Sequence, residues 1–320
     1  MRAPAFIFVV AAALAAGPAS AVAVSDPAAG LEALRDADQR VAAVAYRLVT
    51  ANVAVCPGRG SATGLVLHDL AQYRADLRAL AGELFALGPG LGVSSVVPES
   101  PAAAAGIRAN DRIVAVNGRS LVGAEMAGGG GGAPTDGPFA AKLDLLEQEL
   151  GKGAATLAIV RTGAQLQLVL VPAPACASRF QLVPGTQRNA WSDGEHVSLT
   201  TALLDFVAND DELAVVLGHE LAHNILEHRA RLRSQGVASG LLRSLGRNAR
   251  KVEATEIEAD RFGLRLMDKA GFRPAAAEAF WQRFASASGL MLSTTHPGLK
   301  ARLAIVRETE EALAREHSGR

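Results

Sequence analysis

The sequence predicts an α+β chain, helical towards both ends, with a β-rich block between the helical parts. Three observations carry this. Apolar residues recur at three-to-four spacing over 27–55, as on one side of a helix. Residues 88–121 instead hold short β-branched runs cut by Pro, Gly and Asn-Gly. Beyond 200 long helical patterns return, and one of them contains "LGHELAHNILEH", apolar almost all round yet carrying three histidines and two glutamates.

The chain has 320 residues, enough for two domains, and 49% hydrophobic with 20% charged residues describes a folded chain with a core. Lys+Arg and Asp+Glu number 32 each, so charge gives no case for nucleic acid or an anionic membrane as partner. The N-terminus reads "MRAPAFIFVVAAALAAGPASAVAVSDP". Arg2, a twelve-residue apolar run, a Gly-Pro break and Ala-Ser-Ala fit a secretory signal over 1–21, cleaved after Ala21 or, second, after Ala23. The alternative is an uncleaved anchor, against which stands the short run. No later stretch reaches eighteen apolar residues. Export to the periplasm of a Gram-negative cell is therefore expected, with membrane association the looser alternative. There the two cysteines, Cys56 and Cys176, favour one disulfide over two buried thiols. Closing a loop of about 120 residues, it would be worth roughly 5 kcal/mol in the loop-entropy model.

In chain order, a helix over 27–55 places Leu31, Leu34, Val41, Val44 and Leu48 on one stripe, ending at Cys56-Pro57-Gly58. A second helix is expected over 68–87, with Asp69 as N-cap and Leu70, Leu77, Leu80 and Leu84 towards the core. Residues 113–116 form a strand and Asn117-Gly118 its turn. Residues 123–138, with five consecutive glycines, form a flexible loop. A helix over 139–150 and a hairpin turning at Thr162-Gly163 follow. Asp193-Gly194 marks a turn before a short strand and a helix. Residues 209–232 form one helix, capped by Asn209 with Asp210, Asp211 and Glu212 at its positive end. Helices over "ATEIEADRFGLRLMDKAG" and "RPAAAEAFWQRFASAS", the loop "LSTTHPGLKAR" and a C-terminal helix complete the chain.

The motif "SPAAAAGIRANDRIVAVNG" resembles that of PDZ domains found in bacterial proteases, over residues 87–172. The resemblance implies a module that adds an extended C-terminal peptide to a sheet edge, its carboxylate held in a Gly-rich turn. Gly90, Leu91, Gly92 and Val93 are where that turn is expected. A spacer or lid without ligand is the alternative. Cys56 and Cys176 flank the module, so a bridge would staple its two connections.

In "HELAH", His219 and His223 stand at i and i+4 on a helix, one turn apart on one face, a spacing that lets two imidazoles reach one tetrahedral ion. Glu220, about 100° round the helix, can reach a bound water without ligating the ion. This is the H-E-x-x-H pattern of two zinc ligands with a general base. Its apolar flanks make unpaired histidines costly. His228, near the helix end, is read as structural, an imidazolium on the helix dipole. Downstream, "EIEAD" offers Glu256 as third ligand and Asp260 as acceptor for an imidazole N–H, with Glu258 pointing elsewhere.

"LGHELAHNILEH" followed by "EIEADRFG" resembles metallopeptidase family 48, the HtpX-like and CAAX-prenyl-protease-like zinc endopeptidases, over about residues 177–310. The resemblance implies one zinc ion per chain on His219, His223 and Glu256, Glu220 as base, and Asp260 behind a ligand. It also implies a mostly helical zincin-type peptidase domain with a small sheet. "THPGLKAR" resembles the family's His-Pro loop, making His296 and Arg302 candidates for contacting the site and stabilising an oxyanion. In some relatives that loop histidine covers the metal. Many members span membranes and this sequence has no such span, which implies an exported branch acting on envelope proteins, in quality control. The expected division is 1–21 signal, 22–86 helices packing on the peptidase, 87–172 PDZ-like module and 173–320 peptidase. Two other readings remain: a largely latent protease acting as an assembly factor, and a peptide-binding adaptor with a structural zinc. A structural zinc would be closed by four protein ligands.

Overall fold

The computed structural model describes residues 5–9, 26–123, 137–237, 246–288 and 297–319. The expected cleavage sites, the glycine-run loop and His296 lie outside them. Among the described residues no helix is long and apolar enough to cross a membrane.

Strand β1 (Ala5–Val9) comes from the stretch read as the apolar part of the export signal. Helix α1 (Pro27–Ala51) starts where the Asp26 carboxylate accepts from the Ala28 N–H, with Pro27 in the first turn. Its buried stripe is Leu31, Asp38, Val41, Val44 and Leu48. Residues 59–68, given no element by the sequence, form β2 (Arg59–His68), buried along most of its length. The helix expected over 68–87 is shorter: Asp69 caps a 3₁₀ turn over Leu70–Gln72, and α2 covers only Arg78–Leu84. Then come β3 (Leu91–Val96), α3 (Pro101–Ala104), β4 (Arg112–Val116), β5 (Arg119–Ser120), α4 (Pro138–Leu150), β6 (Ala155–Arg161), β7 (Ala164–Leu170) and β8 (Ala173–Cys176). Asn117-Gly118 and Thr162-Gly163 take the two consecutive positive φ values of tight hairpin turns.

These strands make one sheet in the order β1-β2-β3-β4-β6-β7, with β5 on β4 and β8 on β2. β2 thus belongs to the β-rich module rather than to the helices before it, and Leu65 and Leu67 lie in that module's core with Leu91, Ile113 and Leu157. Cys56 and Cys176 are joined in a disulfide, next to the rung where Arg59 pairs with Cys176. β1 lies parallel to the outer edge of β2, Ala5 opposite Ser61 and Val9 opposite Leu67.

The expected peptide-binding turn lies at the start of β3. Gly92 pairs with His68 of β2 on one side and Arg112 of β4 on the other, and Leu91 and Val93 are fully buried. β4 pairs with β3 only at Leu91 and Gly92, whereas Ser95 and Val96 pair with β2 alone. The glycines serve close packing: a Cβ on Gly90 would sit 2.5 Å from the Ile113 carbonyl oxygen, and one on Gly92 would meet Leu87 and His68 at 2.3 and 2.8 Å.

After the module come β9 (Arg179–Val183), β10 (Ala190–Ser192) and β11 (His196–Thr200), in the order β10-β11-β9 with β10 at one end. Helices α5 (Thr201–Phe206), α6 (Asp210–Ile225), α7 (His228–Ser234), α8 (Gly246–Lys269), α9 (Ala276–Ser288) and α10 (Leu299–Ser318) follow. The single helix expected over 209–232 is two. α6 ends at Ile225, and Glu227 takes a left-handed backbone, φ 51°, before α7 begins. The second core joins α1, α6, α8 and α9 to the small sheet through Leu48, Phe180, Leu217, Leu221, Met267 and Phe280.

Candidate metal centre

α6 is fixed at its start by Asn209, whose side chain accepts from the Glu212 N–H, and by acidic residues 210–212 on the positive end of the helix dipole. Further along, Asn224 bonds to Ser178, to the His196 carbonyl and to the Gly194 N–H, tying α6 to the turn between β10 and β11. α8 crosses α6 at a pair of glycines. A Cβ on Gly263 would lie 2.8 Å from the His219 backbone nitrogen and 2.9 Å from the Gly218 carbonyl carbon. Glu256 and Asp260 stand about two turns and one turn before Gly263 on the same face, so this contact sets them against His219 and His223.

Three donors converge there. His219 Nε2 lies 3.1 Å from His223 Nε2 and 3.4 Å from Glu256 Oε2, and His223 Nε2 lies 3.6 Å from Glu256 Oε1. His219 and Glu256 are buried and His223 is partly so. Tetrahedral ligation with bonds of about 2.0–2.1 Å asks for donor separations of about 3.4 Å. Each distance is near that value, the two to Glu256 running to its different carboxylate oxygens, so the three side chains are placed to hold a zinc ion. Burial alone would push the His219 imidazole down, but Asp260 and Glu256 outweigh it and raise it, so the pocket favours positive charge.

Around the donors, Asp260 Oδ1 is 2.9 Å from His219 Nδ1. Arg302 is buried, with Nε 3.2 Å from Asp260 Oδ2, Nη2 3.8 Å from Glu256 Oε2 and its guanidinium 3.7 Å from the centre of the Trp281 ring. Its closest charged contacts are thus these two carboxylates, which it neutralises from behind, while it also forms part of the cleft wall near Glu220. Glu220 Oε2 accepts from Ser192 Oγ at 2.9 Å, across from the edge strand β10. Burial raises the Glu220 carboxyl, and the neighbouring His219 and the Ser192 bond pull it back. A cleft bounded by Ala190, Leu203, Val216, Phe280, Trp281 and Phe284 opens onto His219 and Glu220.

The structure thus brings His219, Glu220, His223, Glu256, Asp260 and Arg302 into one site, and it adds residues the sequence reading left out. His228 is not a dipole cap: it begins α7, is 1% exposed, and its Nδ1 lies 2.8 Å from His223 Nδ1. Burial pushes its imidazole down to about 4, so it is neutral where an imidazolium was expected. Glu258, read as pointing away, is paired with His228 and Arg231. Ser192 and the Gly218–Gly263 contact are further additions. A small residue beside the metal motif and another three residues after Asp260 were the only signals for that contact.

The family model for peptidase family M48 matches residues 171–252 and 235–310. This part of the chain is similar to peptidase family M48. The family is zinc-dependent in general, in keeping with the donor triangle. The mitochondrial metalloendopeptidase OMA1 of Schizosaccharomyces pombe is 31% identical over 36% of this chain and 41% of its own length. The beta-barrel assembly-enhancing protease of Yersinia pestis is 28% identical over 40% of this chain and 33% of its own. The chain therefore spans less than half the length of these M48 relatives. Residues 92–127 match the PDZ domain model. An overlay on the HtrA3 PDZ domain in complex with a phage-derived ligand covers 36% of this chain and 88% of that one, at 23% identity and a TM-score of 0.27, too slight to bear on the fold.

Proposed function

We propose that this chain is an exported zinc-dependent metalloendopeptidase that cuts extended segments of envelope proteins. The observation that carries the reading is the triangle of His219, His223 and Glu256 beside Glu220, at the mouth of a cleft with Phe280, Trp281 and Phe284 on one wall and Arg188 and Asn189 also in its lining. Zinc held there supplies Lewis acidity to the scissile carbonyl and to water. Glu220 does the proton work. With Oε2 engaged by Ser192, Oε1 takes the proton of the attacking water and passes it to the leaving amine. Asp260 and Arg302 hold His219 and Glu256 in place. The substrate backbone is positioned by β10, whose edge away from β11 is open to an added strand, while Phe280, Trp281 and Phe284 exclude water.

The PDZ-like module recognises an extended peptide along the outer edge of β2. β1 occupies that edge in the uncleaved chain, and removal of residues 1–21 opens it. N-terminal sequencing of exported protein tests the cleavage: a mature start at Val22 or Val24 supports it. An unprocessed secreted chain contradicts it. Activity is tested by unfolded-protein cleavage with wild type and Glu220→Gln, at equal zinc content. Loss in the variant supports the enzyme, and equal loss of biological function in both assays excludes a mere assembly factor.

A further inference from the structure

The turn between α6 and α7 builds a support for one arm of the site. This inference rests on the proposed zinc reading and deepens it. A continuous helix would carry His228, five residues after His223, about 140° away from it. The left-handed Glu227 instead folds His228 back over the end of α6. Two imidazole nitrogens at 2.8 Å share one proton between them, one donating and the other accepting. His223 Nε2 faces His219 Nε2 and Glu256 at the centre of the triangle. To offer a lone pair to a cation there, His223 carries its proton on Nδ1, and His228 Nδ1 is the acceptor. The His228 proton then sits on Nε2, which lies 3.3 Å from Glu258 Oε2 without hydrogen-bond alignment. Glu258 is held in turn by Arg231 of α7.

We infer that His228 is a positioning residue, which accepts the His223 Nδ1–H and so fixes the ring and tautomer that present Nε2 to the metal, with Glu258 and Arg231 fixing His228. The chain runs Arg231–Glu258–His228–His223 and uses α7, α8 and α6. It is the counterpart, on His223, of the carboxylate that serves His219.

The experiment measures zinc affinity of the full chain by competition with a chromophoric chelator, together with the visible spectrum of the cobalt form and thermal unfolding of the metal-free protein. Replacing the acceptor by a ring without one, His228→Phe, is expected to weaken zinc binding about 10–100-fold and to alter the cobalt spectrum. His228→Asn, whose Oδ1 can accept the same bond, is expected to recover most of the affinity. Wild-type affinity and spectrum in His228→Phe overturn the role, as does His228→Asn binding as weakly as a folded His228→Phe. One measurement needs no variant: imidazole ¹⁵N shifts of the zinc-loaded wild type should place protons on His223 Nδ1 and His228 Nε2. A proton on His228 Nδ1 overturns the inference. A wild type that binds no zinc sinks the metal reading itself, a different result from a zinc-binding wild type indistinguishable from its variants.

Discussion

His219 and His223 sit one turn apart on the same helix, yet the structure holds them in unlike ways. His219 is backed by a buried carboxylate, Asp260, itself faced by an arginine that lies on Trp281. That support needs α6, α8, α9 and α10 packed together. His223 is backed by a neutral imidazole brought round by a local turn, with a half-exposed glutamate and arginine behind it. One arm thus depends on long-range assembly around buried charge. The other depends mainly on a break in the helix.

The largest expected effect is on the assembled arm. Asp260→Ala leaves Arg302 without its nearest carboxylate in the interior, a change that costs about 3–5 kcal/mol when a buried pair is broken. Denaturant unfolding should show that loss, and zinc affinity should fall further than in His228→Phe. A smaller fall would reverse the ranking of the arms. Gly263→Ala should strike both arms together. Its Cβ meets backbone at 2.8 Å, so α8 must shift off α6, with an expected destabilisation of about 1–3 kcal/mol and loss of zinc. Wild-type zinc affinity there would detach the helix crossing from the site.

Ser192→Ala should leave both arms, and zinc affinity, untouched. The Ser192 bond pulls the Glu220 carboxyl down, so its removal lets that carboxyl rise and moves the acid limb of the kcat/KM profile to higher pH. A bond worth about 0.5–1.5 kcal/mol corresponds to roughly 0.4–1 pH unit. An unmoved limb would take Ser192 out of the proton path. The effect farthest from the donor triangle concerns a histidine with no carboxylate hydrogen-bonded to it. His68 is fully buried beside Tyr73 and Phe85, and burial, with Arg35, lowers it to about 3. The unfolded chain binds this proton near pH 6.5 and the folded chain does not, so stability is full above about 6.5 and falls as pH drops towards 3. His68→Asn should flatten the fall of melting temperature in that window, and an unchanged slope would assign it to other groups.

The donor triangle was legible because it is built from two local patterns, each i and i+4 on a single helix, at His219/His223 and Glu256/Asp260. Asn209 at the start of α6 was legible for the same reason. What escaped depends on partners distant in sequence or on backbone breaks. β2 has small residues buried on both faces, so it shows no alternation. Its rungs to β1, β3 and β8 make it a strand. Gly90–Val93 carry a Gly-rich pattern, and strand order, which the pattern does not encode, places Gly92 between β2 and β4. His228 was set at the end of a helix because Glu227, a non-glycine residue in a left-handed conformation, gives no sign of the break. Arg302 was found through the His-Pro loop, and its stacking on Trp281 was not.

The central claim is that this triangle holds one catalytic zinc with Glu220 as its base. The most direct measurement is cleavage of an unfolded protein by purified mature chain, with zinc counted in the same samples, for wild type and Glu220→Gln. The account predicts one zinc per chain in both, cleavage by wild type that a chelator abolishes and zinc restores, and a Glu220→Gln rate at least about a hundredfold lower, as loss of a general base entails. Equal cleavage by the two, or a wild type free of zinc yet active, would contradict it.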